Sequence, residues 1–335
     1  MAIAQVSTIQ PDVLKGTVVT IEADISRGLH AFSIVGLAGK AIDESKDRVG
    51  SAIKHSGYPS PKTKNQKIVI SLSPADLKKE GPLFDLPIAI AYLIAAGEIK
   101  TDGRRRVYIG ELGLDGTLRP VKGALNSALA AQGAGFEEII VPEENAEEAA
   151  LIEGIVVRTA TSLKAVIEHI SSEKTEQTDL PIQQPTIIND SWYESVINLE
   201  DIKGQESAKR GLIIAAAGRH NVMLVGPPGT GKTMLARALR ALLPPLSREE
   251  ALAVTAIHSL ANTDFSISTR PPFRSPHHTA SHTSLVGGGA HPKPGEITLA
   301  HHGVLFMVFV LQLWCIQRYT FCRTSLTTFV LQFNV

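Results

Sequence analysis

The stretch Gly226-Pro-Pro-Gly-Thr-Gly-Lys-Thr233 decides the fold of the second half of the chain. It fits the G-x-x-x-x-G-K-[ST] pattern of a phosphate-binding P-loop. The residues before it, Asn221-Val-Met-Leu-Val225, form a short apolar run that is typical of a buried parallel strand. Residues 232–243 follow with apolar side chains at helical spacing and end before Pro244-Pro245. The sequence therefore predicts a strand, a glycine loop and a helix in succession.

This succession predicts a site for an anion. Backbone N–H groups of the loop and the helix N-terminus face one point, and the glycines let the main chain approach phosphates closely. We expect Lys232 to contact the β and γ phosphates of ATP and the Thr233 hydroxyl to bind Mg²⁺. A chance glycine-rich turn is the alternative interpretation. The candidate cofactor-binding residues are Gly226, Pro227, Pro228, Gly229, Thr230, Gly231, Lys232 and Thr233, with Thr233 as the candidate metal ligand.

Length and composition favour two domains, because 335 residues can form two separate cores. The 33 basic and 33 acidic side chains balance, so net charge does not indicate a nucleic-acid partner. The start of the chain lacks the charged and apolar segments of a secretory signal, and we expect a cytoplasmic protein. Both cysteines, Cys315 and Cys322, lie near the end and do not indicate a disulfide framework.

Residues 1–170 are predicted to form one α/β domain. Strand-like patterns occupy 16–25, 31–35, 67–72, 107–112 and 138–141, and helical patterns occupy 41–55, 85–96, 122–131 and 163–169, with a further helix beginning at 143. Helix 85–96 is almost wholly apolar and is predicted to be buried, with Asp85 as its cap. Residues 171–198 are poor in apolar side chains and are predicted to be a linker. The second domain begins near Leu199, with a helix over 204–217.

The order of motifs resembles the magnesium-chelatase-like AAA+ ATPases of the bacterial competence type, the ComM/YifB family. Around the P-loop the likeness rests on Leu199-Glu-Asp-Ile-Lys-Gly-Gln-Glu206, Arg270-Pro-Pro-Phe-Arg-Ser-Pro-His-His-Thr279, Leu285-Val-Gly-Gly-Gly289 and Pro294-Gly-Glu-Ile-Thr-Leu-Ala-His-His-Gly-Val-Leu-Phe306. In the first domain it rests on Glu80-Gly-Pro-Leu-Phe-Asp-Leu-Pro87 and Gly110-Glu-Leu-Gly-Leu-Asp-Gly-Thr-Leu-Arg-Pro-Val121.

The resemblance implies an α/β protein in which a Lon-protease-like α+β domain (1–170) and a linker (171–198) precede a partial AAA+ ATP-binding domain (199–306). It also implies ATP and Mg²⁺ as cofactors. Intact members of the family are expected to form homo-hexameric rings that move branched DNA during recombination.

The resemblance fails after Phe306. The family continues there into the acidic Walker B pair, but this chain has Val308 and Phe309 at those positions. A Walker B Asp helps to hold Mg²⁺, and the neighbouring Glu orients the attacking water. We therefore assign no catalytic residue and expect the chain, truncated relative to the family, to be deficient in ATP hydrolysis.

Composition changes at the same point. Residues 307–335 contain no Asp, Glu, Gly, Pro, Lys or Ala, yet they hold both cysteines and four of the ten Phe. We interpret them as an aberrant tail foreign to the family, produced by a frameshift, an insertion or a gene-model error. A membrane segment over 303–316 is the alternative, but as a helix it would span only about 21 Å of a core of about 30 Å.

Three further patterns admit a functional and an ordinary interpretation. His278 and His282 have the spacing of a zinc site, but their context favours a polar loop, and His301-His302 is predicted to be a turn. Lon-like protease chemistry is not supported, since Leu83 stands at the position of the serine nucleophile and Lys122 falls three residues early. Basic clusters at 62–67, 78–79 and 104–106 could contact phosphates but are more typical of solvated surfaces.

The leading hypothesis is therefore an ATP-binding AAA+ protein that resembles competence-type DNA branch-migration motors. A magnesium-chelatase ATPase subunit that acts in porphyrin metallation is the alternative motor, and the Lon-like first domain disfavours it. A non-enzymatic remnant is the contrasting class.

Overall fold

The computed structural model describes residues 3–12, 16–101, 103, 105–172, 179–188, 197–261, 267–288, 293–311 and 325–332. The chain divides into two compact units. Unit 1 comprises Met1–Ile187 with Asn262–Phe265, and unit 2 comprises Ile188–Ala261 with Ser266–Val335.

Unit 1 mixes strands and helices. Its strands are β1 (Ala4–Gln10), β2 (Thr17–Arg27), β3 (Ala31–Val35), β4 (Gln66–Ser73), β5 (Arg106–Tyr108), β6 (Glu111–Leu112), β7 (Leu118–Arg119), β8 (Glu138–Pro142) and β9 (Val156–Ala160). Its helices are α1 (Lys40–His55), α2 (Asp85–Ala95), α3 (Ala124–Gly133), α4 (Ala146–Ala149) and α5 (Leu163–Ile170).

Seven of these strands form one mixed sheet in the order β3-β4-β2-β1-β5-β8-β9. Strand β2 pairs antiparallel with both β1 and β4. The other four pairs are parallel: β3 with β4, β1 with β5, β5 with β8, and β8 with β9. Strands β6 and β7 pair separately as a short antiparallel ribbon. The parallel pairs need crossover connections, which the intervening helices supply.

Helix α2 forms the centre of the core of unit 1. Every residue from Asp85 to Leu93 is buried, and the helix packs against β1 and β2. This confirms the prediction of a buried helix. An all-round apolar helix needs apolar surfaces on more than one side, and the sheet supplies one of them.

Asp85 begins α2 without capping it, since no side-chain cap hydrogen bond is present there. Its carboxylate accepts from Arg48 Nε at 2.8 Å, from Arg48 Nη2 at 3.1 Å and from the Leu112 N–H at 3.3 Å. Burial raises the pKa of Asp85 to about 6 against the opposing effect of Arg48. The predicted cap is therefore wrong, because the side chain is turned towards tertiary partners.

Residues 179–187 attach to unit 1, although the sequence predicts them as part of a linker. Gln183 N–H donates to the Val157 carbonyl and Thr159 N–H donates to the Pro181 carbonyl, so this segment pairs with the edge of β9. Thr186 N–H donates to the Ala150 carbonyl farther along. Neither β9 nor β1 is among the sequence-based predictions.

Unit 2 contains β10 (Val222–Gly226), β11 (Phe273–Arg274), β12 (Gly287–Gly288), β13 (Lys293–Pro294), β14 (Val304–Leu311) and β15 (Ser325–Gln332). Its helices are α6 (Glu206–Gly218), α7 (Lys232–Leu242), α8 (Arg248–Ala261), α9 (His282–Val286) and α10 (Glu296–Leu299). The predicted succession of strand, loop and helix around residues 221–243 is confirmed by β10 and α7. The prediction of a buried parallel strand is wrong, because β10 is at most half-buried and pairs antiparallel with β15.

Four strands form a sheet in the order β10-β15-β14-β11. Strand β15 pairs antiparallel with both neighbours: Leu224 and Val308 both lie opposite Thr328. Residues of the predicted aberrant tail therefore form a central strand next to the P-loop strand. Residues 304–311 are a strand rather than part of a membrane helix, and none of the helices in the described ranges has both the length and the apolar character to span a bilayer.

The core of unit 2 lies between this sheet and two helices. Buried residues of α6 and α7 contact buried residues of β14, among them Leu212, Leu235, Leu239, Val304 and Phe306. Val222, Leu224 and Val308 pack against the same cluster. Because β10 and α7 share this core, packing fixes both ends of the loop between them.

Candidate functional site

The eight predicted nucleotide-binding residues are contiguous: Gly226 ends β10, residues 227–231 form the loop, and Lys232 and Thr233 begin α7. Gly229 and Gly231 have φ angles of 84° and 83°, in the left-handed region that glycine adopts without strain. Gly231 is the residue before α7, and no side-chain hydrogen bond caps the helix there. The first N–H groups of an 11-residue helix therefore face the concave side of the loop, which suits an anion.

Lys232 bonds to the loop that precedes it. Its Nζ donates to the Gly226 carbonyl at 2.8 Å, to the Pro227 carbonyl at 2.7 Å and to Thr230 Oγ1 at 3.3 Å. The Thr230 hydroxyl donates to the Pro227 carbonyl at 3.0 Å. The ammonium group thus lies within the loop, and it must exchange these neutral acceptors for phosphate oxygens when an anion binds.

A cavity of about 390 Å³ opens beside the loop. Six of the eight predicted residues line it, and two residues that the sequence analysis does not assign to the site complete it: Pro228, Gly229, Thr230, Gly231, Lys232, Thr233, Met234 and Val308. Gly226 and Pro227 contribute carbonyl oxygens to Lys232 instead. The resemblance alone could have indicated Val308, because it places that residue at a Walker B position.

The lining fits phosphate better than it fits a metal ion. Thr233, the predicted metal ligand, is exposed and lines the cavity, where its hydroxyl is available to a bound ion. None of the residues that line the cavity carries a carboxylate, and no group of three or more His, Cys, Asp and Glu side chains suited to a metal occurs in the described part of the chain.

Comparison with known families agrees with this geometry. Residues 198–313 match the family model "Magnesium chelatase, subunit ChlI", and residues 21–145 match the model "Subunit ChlI of Mg-chelatase". The chain belongs to the magnesium-chelatase-like family. The first match ends at residue 313, within the segment that the sequence analysis interprets as an aberrant tail.

Two relatives place the chain within this family. The YifB protein of Salmonella typhimurium is 48% identical over 294 residues, which cover 86% of this chain and 56% of that protein. "Competence protein ComM" of Haemophilus influenzae is 41% identical over 297 residues, which cover 88% of this chain and 57% of that protein. The resemblance to the ComM/YifB group is confirmed, and the chain spans little more than half the length of these relatives.

A shorter stretch of this magnesium-chelatase-like chain is similar to a protease. Lon protease 1 of Sorangium cellulosum is 27% identical over 136 residues, which cover 39% of the chain and 16% of that protein. In unit 1, Leu83 is buried and Lys122 is exposed. The apolar side chain of Leu83 cannot act as a nucleophile, so the similarity does not bring protease chemistry with it.

Of the histidines that the sequence predicts in a loop or turn, His277, His278, His301 and His302 lie outside helices and strands, whereas the prediction is wrong for His282, which begins α9. The rings of His277 and His278 are 4.2 Å apart between centroids, and His277 Nδ1 lies 2.7 Å from Thr279 Oγ1. His282 begins α9 while His278 lies outside it, so no helix presents the two as a pair. His301 and His302 lie in the turn before β14.

The basic clusters are largely engaged within unit 1. Lys62 bonds to Asp47 and Lys64 bonds to Glu98, each at 2.7 Å, and Lys78 pairs with Glu80. The cluster at 104–106 divides. Its first residue lies outside the described residues, the Arg105 guanidinium lies 5.3 Å from the Phe136 ring centroid, and Arg106 is buried. The described part of this cluster therefore does not form a continuous basic surface.

Proposed function

We propose that the chain is an ATP-binding AAA+ protein that holds nucleotide at the loop of Gly226–Thr233 and hydrolyses it poorly. The observation that carries the proposal is the joint geometry of left-handed Gly229 and Gly231, Lys232 and the N-terminus of α7 around one cavity. Family membership supports the same role. Measurement of the affinity for ATP tests this proposal.

Replacing Lys232 with alanine should weaken ATP binding by roughly 10- to 100-fold, because a charge-assisted hydrogen bond contributes about 1.5–3 kcal/mol. Isothermal titration of the purified chain with ATP measures the change. The exposed Lys203 of the same unit, also replaced with alanine, is the matched control and should retain wild-type affinity. Equal affinities of the Lys232→Ala and wild-type proteins would contradict the proposed site.

Hydrolysis should be no faster in the wild-type protein than in the Lys232→Ala variant. Val308 supplies neither a metal ligand nor a base, and loss of one preorganised group typically costs on the order of 10² to 10³ in rate. Release of phosphate from ATP, measured with and without branched DNA, tests this prediction. A steady turnover that Lys232→Ala abolishes would show that another residue replaces the Walker B pair.

The wider role is proposed from the relatives. The name of the ComM relative refers to competence, and the family resemblance implies homo-hexameric rings that act on branched DNA in the cytoplasm. Binding of a labelled four-way DNA junction, with a linear duplex as control, tests the DNA partner. Sedimentation with and without ATP tests for the hexamer.

Two other functions remain distinguishable. A magnesium-chelatase subunit for porphyrin metallation is favoured by the family descriptions and predicts no response to branched DNA. A non-enzymatic remnant predicts no ATP binding.

We also propose that residues 307–335 are foreign to the family, which sequencing of the locus tests. An uninterrupted reading frame shared by close relatives through residue 335 would refute that origin.

A further inference from the structure

Val308 brings an apolar surface to the phosphate cavity. It lies on β14, opposite Thr328 of β15, and its side chain lines the same cavity as Lys232 and Thr233. It is partly buried and packs against the apolar core of unit 2. Both its position and its packing are therefore fixed by the sheet, and its methyl groups form a permanent part of the cavity wall.

This wall is unsuited to Mg²⁺. The ion prefers octahedral oxygen coordination, loses its water reluctantly and is usually held by one or two carboxylates together with phosphate oxygens. The side chains of Val308 and Met234 offer no oxygen, and the Thr230 hydroxyl donates to the Pro227 carbonyl. Thr233 remains as the side-chain ligand of the cavity. Residues 307–335 contain no Asp or Glu, so none of their side chains can add a carboxylate.

The same lining favours an anion that carries no metal. Lys232 and the N-terminus of α7 provide positive potential, and no carboxylate of the cavity lining opposes a polyphosphate. An acidic residue at position 308 would have two effects, because it would attract Mg²⁺ and repel a bare polyphosphate. The identity of residue 308 should therefore determine which form of the ligand binds.

We propose that this loop selects the metal-free polyphosphate group of a nucleotide over its Mg²⁺ complex, and that Val308 determines this selectivity. The inference rests on the proposed function, namely that the loop of Gly226–Thr233 binds ATP. It makes Val308 a specificity residue without assigning it any catalytic role.

The test is a set of titrations of the purified full chain in excess Mg²⁺ and in EDTA. The ligands are ATP, ADP and inorganic tripolyphosphate. Comparing them distinguishes recognition of the phosphate chain from recognition of the nucleoside. The wild-type affinity for ATP should be higher in EDTA than in excess Mg²⁺. In Val308→Asp the order should reverse, with ATP binding on the order of tenfold more tightly in Mg²⁺ than in EDTA.

Val308→Asn is the matched control, since it has the shape of Asp without the charge, and it should not reverse the order. If Val308→Asp fails to fold, the wild-type comparison between Mg²⁺ and EDTA still decides the selectivity. Wild-type binding of ATP that is equally tight in the two conditions, or tighter in Mg²⁺, would overturn the selectivity but leave the proposed function intact. Failure of ATP and tripolyphosphate to bind under either condition would overturn both.

Discussion

Replacing Glu138 with glutamine should destabilise unit 1 by about 3–5 kcal/mol, the usual cost of removing one partner from a buried ion pair. The Glu138 carboxylate accepts from Arg106 Nε at 2.7 Å, from Arg158 Nε at 2.8 Å and from His169 Nε2 at 3.1 Å. Glu138 and its three partners are each less than 10% exposed. Glutamine would remove the carboxylate charge that faces two buried guanidinium groups.

Hydrogen exchange of peptides from β8 and β9 measures this loss, because it reports the stability of unit 1 independently of unit 2 in the intact chain. The neighbouring Glu137 is exposed, so Glu137→Gln changes the net charge equally and should leave exchange unchanged. Similar protection in Glu138→Gln and the wild-type protein would show that water or another group already compensates the two arginines.

Acid should reproduce part of the effect in the wild-type protein. The three partners of Glu138 outweigh its burial and lower its pKa from 4.5 to about 2. A carboxyl with a lowered folded-state pKa contributes stability above its unfolded-state pKa and loses it as pH falls. The contribution, about 3 kcal/mol, should therefore be complete above pH 4.5 and disappear towards pH 2. The Glu138→Gln variant should lack this part of the acid dependence.

The sequence could not predict this cluster, although it predicts the elements that carry it. Periodicity identifies the strand at 138–141 and the helix at 163–169, because apolar spacing is a local signal. Glu138 is separated from its three partners by 20 to 32 residues along the chain, and the parallel register brings the two arginines to it. In that register Arg106 lies opposite Glu138, and Arg158 lies opposite Ile140, on the same face two residues along. Non-local pairing of this kind leaves no local pattern.

The candidate site was more predictable because its chemistry lies in one contiguous motif. The loop, its glycines and the helix after it follow from Gly226–Thr233 alone. The motif does not predict the hydrogen bonds that Lys232 donates to the Gly226 and Pro227 carbonyls. The consensus describes only the contacts that this lysine makes with a bound phosphate. Nor does it predict β15, because residues 325–332 are about 100 positions away along the chain and meet β10 only through pairing in the sheet.

Replacing Thr328 with proline should weaken ATP binding more than tenfold and lower the stability of unit 2 by about 2–4 kcal/mol. Thr328 lies at the middle of β15, opposite Leu224 of β10 and Val308 of β14. Proline removes an N–H from a central strand and adds a ring where neighbouring strands are about 4.8 Å apart. Within the described residues β10 lies at the edge of its sheet and pairs with β15, so this change separates it from the other strands.

Thr328→Val is the matched control, because it keeps the N–H and a β-branched side chain, and it should bind ATP as the wild-type protein does. Titration with ATP, together with hydrogen exchange over 222–226, measures both consequences of the proline. Wild-type affinity in Thr328→Pro would show that the α7 core holds β10 without β15. The expected loss would instead give the segment after residue 306 two opposing effects on one site. Val308 provides no side-chain ligand for Mg²⁺, whereas β15 pairs with β10, the strand that precedes the phosphate loop. The segment would therefore alter the chemistry of the P-loop and also be required for its fold.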